Sequence, residues 1–131
     1  VDYDDVDRVA STLPGVTIGE KWHHRHWLVE GQGFVWERPF SKADIRRFGE
    51  DQVPGGPILG IATEDLRDKE GLLGAGITGV FTIAHFDNYP AVLVDLGVVS
   101  EADLHQLIVD AWLTKAPEAV ARSYLADHEP P

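Results

Sequence analysis

The chain reads as an α+β domain, a mainly antiparallel sheet with helices packed on one face, and three observations predict it. Two apolar runs, "ITGVFTIA" from residue 77 and "AVLVDLGVV" from residue 91, have strand composition and are joined by "HFDNYP". Aromatic and branched residues flank "EGQG", whose glycines supply the positive φ of a tight hairpin between 22–29 and 34–38. The order these signals give, helix, hairpin, small helix, strand, helix, strand pair, helix and helix, then suggests helices laid on one face of that antiparallel sheet.

Taken in order, Asp4 or Asp5 can cap a first helix carrying Val6, Val9, Ala10 and Leu13 at helical spacing, and "LPG" stops it. Residues 17–20 read as a loop before the hairpin. "SKADIRRF" opens with Ser41 three residues before Asp44, a capping box for a short helix, and "VPGGP" is a loop. "ILGIA" offers a short strand, and Thr63 can cap a helix through "EDLRDKEGLL". The two long apolar runs should pair antiparallel at the sheet's centre. Ser100 with Asp103 repeats the capping signature, ahead of a stripe of Leu104, Leu107, Ile108, Ala111 and Trp112. Pro117 interrupts this helix, "EAVARSYLA" adds a last one, and the polar "DHEPP" tail should fray. With 131 residues, 44% of them hydrophobic, and no internal repeat or linker, the expectation is a single domain over 1–131.

Composition then removes several function classes. With no cysteine there are no disulfides, thiolate zinc sites or cysteine nucleophiles. No apolar run is long enough to span a bilayer, and the opening "VDYDDVD" is unlike a signal peptide, so a cytoplasmic protein without membrane partners is expected. No G-x-S-x-G elbow or phosphate-cradling loop is present, and carboxylate pairs such as Glu64 with Asp65, or Asp68 with Glu70, fall on exposed helix surface. A binding protein without a cofactor is therefore expected rather than an enzyme.

The net charge of -11 repels phosphate backbones at long range, yet it is uneven. Lys21, Arg25, Arg38, Lys42, Arg46 and Arg47 meet only Glu30, Glu37 and Asp44 in their segment, leaving +3 there and -14 elsewhere. Such a strip can engage an anion at short range, although scattered solvated charges are the plainer account. Trp22, Trp27, Phe34 and Trp36 alternate enough to supply an inward aromatic set. On a strand, His24 and His26 share one face and His23 takes the other, so a divalent metal would need further ligands, for which His85 and Asp87 are the candidates. No H-x-x-x-H or H-E-x-x-H spacing accompanies them, and surface histidines on an edge hairpin are the simpler reading.

The "LPGV" after the first helix, the "HWLVEGQGFVW" hairpin, "HFDNYPAVLVDL" and "DAWLTKAP" together resemble the MmcQ/YjbR family. His85, Phe86, Asp87, Tyr89 and Pro90 match a run of that family in which glycine commonly stands where this chain has Asn88; Trp112, Lys115, Ala116 and Pro117 match its late helix. The resemblance implies a frataxin-like, CyaY-type double-wing fold and DNA as ligand, with the six basic residues as the contact strip. The alternative is a protein-interaction or small-ligand groove between the hairpin and the "HFDNYP" loop, formed by Trp27, His85, Phe86, Asp87 and Tyr89. Metal or iron binding through His24, His26 and His85 is a third possibility.

Overall fold

Asp2, two or three residues earlier than expected, begins the first helix: its carboxylate accepts from the amides of Asp4 and Asp5 while the Asp5 carboxylate accepts from the Asp2 amide. The run of N-terminal aspartates is thereby accounted for as capping and dipole compensation. The structure, a computed structural model, describes residues 1–128; Glu129, Pro130 and Pro131 of the expected frayed tail lie outside it. Helix α1 spans Tyr3–Ala10, followed by β1 (Val16–Lys21), β2 (His24–Val29), β3 (Gln32–Glu37), α2 (Lys42–Phe48), β4 (Ile58–Ala62) and α3 (Leu66–Gly74). Then come β5 (Val80–Phe81), a 3-10 turn at Ala84–Phe86, β6 (Ala91–Asp95), α4 (Glu101–Lys115) and α5 (Glu118–Asp127).

The fold is the α+β one expected. Six strands form one fully antiparallel sheet in the order β1-β2-β3-β4-β6-β5. Strands β4 and β6 are buried along their whole length, as continuous apolar runs require when both faces are covered. On one face, Val6 and Ala10 of α1 and Leu104, Leu107, Ile108, Ala111 and Trp112 of α4 close over Trp27, Val29, Val35, Leu59, Ile61, Val92 and Val94. Leu72 and Leu73 of α3 and Val120 and Tyr124 of α5 pack against the same core. The other face carries a smaller cluster of Ile58, Phe86, Ala91 and Leu93, with Trp36, Phe40 and Phe81 against it. Phe48 of α2 meets Phe40 edge to face there, so α2 departs from the single helical layer. No helix among the described residues is long and apolar enough to cross a membrane.

Several local expectations change. Residues 17–20, read as loop, lie within the edge strand β1. "ITGVFTIA" yields only the two residues of β5, at the opposite edge rather than the centre, because the chain turns at Gly79 (φ 95°) and leaves for the 3-10 turn. Helix α3 is capped by Asp65, not Thr63. The boxes at Ser41–Asp44 and the cap at Ser100 form as expected. In the hairpin turn it is Glu30 (φ 48°) and Gly31 (φ 75°) that take positive φ.

Two features of the β1–β2–β3 ribbon decide which side chains reach the open face of the sheet. Lys21 pairs with His24, so the β1–β2 turn consists of Trp22 and His23 alone, both left-handed at φ 55° and 65°. Two-residue hairpins favour that geometry, which asparagine and glycine usually supply; with other side chains it costs roughly 1–2 kcal/mol per residue. The second feature is a bulge. His26 faces Trp36 and Trp27 faces Val35, but Leu28 faces Gly33, which leaves Phe34 unpaired. Phe34 and Val35, consecutive in sequence, both enter the main core, and Trp36 is set on the opposite face.

Candidate functional site

Strand pairing lays His26, Trp36, Gly60, Leu93 and Phe81 side by side in one row across the sheet. The row lies on the face away from the main helices. The Trp36 indole rests on Gly60, where any β-carbon would collide with its ring atoms. His26 stacks beside it, with ring centroids 6.5 Å apart and planes 13° from parallel. Burial, with help from the nearby Lys21 and His24, holds the His26 imidazole below its ordinary pKa, so it is mainly neutral at pH 7.

Over the His26 and Trp36 end of this row opens a groove of about 620 Å³, lined by Lys21, Trp22, His24, His26, Gly33, Trp36, Glu37, Arg38, His85 and Tyr89. Trp22, 81% exposed on its strained turn, stands at one rim. His85 from the 3-10 turn and the half-exposed Tyr89 from the loop after it form the far wall. Asn88 in that loop is left-handed (φ 61°), a conformation asparagine accepts. Phe86 is buried beneath, edge to face with Tyr89 at 5.5 Å, and Asp87 is exposed outside the groove.

One residue no sequence pattern marked holds this wall. Lys69 of α3 is buried, and its Nζ donates to the carbonyls of Phe86 at 2.6 Å and Tyr89 at 2.9 Å. Its ammonium thus adds a charged donor to two carbonyls that also accept from the Tyr89 and Ala91 amides, tying the turn to α3. Lys69→Met keeps the apolar stem and removes the donors. A net loss of about 1 kcal/mol is expected, because relief from burying the charge offsets part of the lost hydrogen bonding. Amide hydrogen exchange should show residues 85–90 opening more readily, a change that equal protection in the variant would disprove.

The basic strip divides between the two faces. Arg25 turns to the helical face: its Nε donates to Glu37 at 2.8 Å, its terminal nitrogens approach Asp4 at 3.4 Å, and its guanidinium lies 5.4 Å from the centre of the Trp27 ring. Arg38 stays on the groove side, with Nη1 donating to Asp44 and to the Pro39 carbonyl, both at 2.9 Å. Arg47 approaches the same Asp44 at 3.5 Å. Lys21, Lys42 and Arg46 are exposed, and among the described residues no carboxylate lies within 4.0 Å of them. Burial pushes the Asp44 carboxyl up, but the Arg38 hydrogen bond and charge and the Ser41 amide and hydroxyl outweigh it and hold it at about 2.

Three residues expected at the site sit elsewhere. Trp27 has no exposed surface and donates from Nε1 to Asp7 at 2.9 Å, so it is a core residue and not a groove anchor. Phe86 supports the wall from below rather than lining it, and Asp87 faces solvent. Trp22 and Trp36, assigned to an inward aromatic set, are the indoles that line the groove. His24, His26 and His85 do line one groove, yet among the described residues no group of three or more histidine and carboxylate side chains is placed to hold a metal ion.

Comparison with known proteins places the chain among relatives. It is 38% identical over 128 residues to Uncharacterized protein Rv2570 of Mycobacterium tuberculosis, covering 95% of this chain and 96% of that one. The same figures hold for Uncharacterized protein Mb2600 of Mycobacterium bovis. The chain belongs to the family of these mycobacterial proteins. No family model matches it, and no solved structure does. Since the match spans almost all of each partner, the unit shared within this mycobacterial family is the whole domain, sheet and helices together.

Proposed function

We propose that this protein is a non-enzymatic binding domain whose ligand site is the groove on the open face of the sheet, and that its ligand is a small organic anion bearing a flat ring. One observation carries the reading. On a chain of net charge -11, the groove gathers Lys21, Arg38 and three imidazoles beside two indoles and a phenol, and the one acidic residue of its lining, Glu37, gives its carboxylate to Arg25 on the helical face. A volume of about 620 Å³ suits a small molecule. Aromatic faces bind planar rings, and neighbouring cations bind an attached anion.

DNA, the ligand implied by the MmcQ/YjbR resemblance and its double-wing layout, is the second reading. Exposed Lys42 and Arg46, which extend positive charge from the groove side along α2, favour it. Against it, Arg25 is engaged by Glu37 and Asp4 on the opposite face, so the strip is split and few cations line up for successive phosphates.

Tryptophan fluorescence separates the two, because Trp22 and Trp36 line the groove while Trp27 and Trp112 are buried. Adenosine monophosphate as probe is expected to quench emission saturably. A labelled DNA duplex should bind weakly, and only at low salt. Tight duplex binding with no response to the nucleotide would transfer the function to DNA, and silence from both would remove the groove as a ligand site.

A further inference from the structure

We infer that Arg38 is the anion anchor of the groove and that the ligand it selects is a phosphate monoester carried on a flat ring. The inference rests on the groove being the ligand site. It goes further in naming the group recognised and the residue that recognises it.

Arg38 is prepared for this task as no other cation of the chain is. Its Nη1 is held by Asp44 and by the Pro39 carbonyl, and its guanidinium carbon lies 5.6 Å from the centre of the Phe86 ring. The side chain is only 22% exposed, so little freedom remains to be lost when a ligand binds. Among the described residues Nε and Nη2 have no protein partner, and no buried side-chain nitrogen or oxygen is left without one. That edge of the guanidinium therefore reaches solvent, and Arg38 lines the groove. Two parallel N–H donors on a fixed plane match two oxygens of a phosphate.

The rest of the groove suits the same molecule. Lys21 adds a second permanent cation, and His24 and His85 add imidazole donors. A phosphate monoester carries close to two negative charges at neutral pH, which the pair of fixed cations complements better than a single one would. The Trp36 indole, immobilised on Gly60 and flanked by His26, offers a flat surface for the ring, with Trp22 at the rim. Arg25 is a poor alternative anchor, because Nε and both terminal nitrogens already face carboxylates on the other side of the sheet.

The test compares adenosine monophosphate, adenosine and inorganic phosphate on the full chain and on three variants, Arg38→Lys, Arg38→Gln and Arg46→Gln, by tryptophan fluorescence and calorimetry. The full chain should bind the nucleotide about tenfold to a hundredfold tighter than the nucleoside, the span of a charge-assisted pair. Both Arg38 variants should lose most of that preference while holding adenosine within about twofold, and Arg46→Gln should change neither. Inorganic phosphate should displace the nucleotide. Arg38→Lys keeps a cation beside Asp44, so a folded variant is available even where Arg38→Gln melts early. Equal binding of nucleotide and nucleoside, or an undiminished preference in Arg38→Lys, would overturn the anchor and leave the groove standing. Failure of the full chain to bind either would instead remove the groove itself.

Discussion

Asp44→Ala is expected to be among the most damaging single changes in this domain, lowering stability by about 3–5 kcal/mol. The carboxylate is 2% exposed, closes the capping box of α2 through the Ser41 amide, and is the partner of Arg38 and Arg47. Without it α2 loses its cap and a largely packed guanidinium loses its counter-charge. In a domain of this size the melting temperature should fall by roughly 10 °C or more. Asp44→Asn keeps the shape and one acceptor and should fall between the variant and the parent.

Acid supplies an independent check on the same residue. The folded-state pKa is depressed, so the unfolded chain takes up the proton first as pH drops. The contribution is thus complete above the ordinary value of 3.8 and disappears as pH falls to about 2. The shift corresponds to a loss on the order of 2 kcal/mol across that window. Denaturant melts at pH 5, 4 and 3 should show the parent weakening more steeply than Asp44→Asn, and parallel losses would refute the assignment.

Gly60→Ala is expected to cost roughly 1–3 kcal/mol and to disturb the groove at the same time. The added methyl would sit where the Trp36 ring now lies, in the middle of a strand whose partners on both sides leave the backbone no room to retreat. The ring must lift, so Trp36 emission should change and nucleotide affinity should drop. A double-mutant cycle isolates the cause: with Trp36→Leu already present, the alanine should be nearly harmless. If it is equally costly in both backgrounds, backbone effects rather than the indole explain the glycine.

How much of this was legible depended on whether the signal was local. Capping at Ser41 and Ser100 lies within four residues and was readable, as were the doubly buried runs of β4 and β6. Strand β1 was not, because as an edge strand it buries no side chain and the alternation begun by Val16 and Ile18 stops at Gly19, Glu20 and Lys21. The site was half visible. Lys21, His24, His26, Arg38, His85 and Tyr89 were all singled out, but they were divided among DNA, metal and groove readings, and only pairing across the sheet brings them to one place. Trp36 was assigned to the wrong face for a specific reason: it lies two residues from Phe34, and in a regular strand both would point the same way. The bulge at Phe34 breaks that parity, and nothing in "GQGFVWE" announces it. Lys69 was hidden because its partners lie 17 and 20 residues away, in a loop whose shape the helix itself helps to set.

The reach of Lys69 from α3 to the Phe86 and Tyr89 carbonyls has a thermodynamic corollary. A lip fastened to a helix that packs into the principal core does not melt as an isolated segment; its opening is coupled to the cooperative unfolding of the whole domain. Occupancy by a guest molecule should then be felt globally, by linkage, so that a simple thermal-shift screen of metabolite libraries reports on this cleft without any engineered probe.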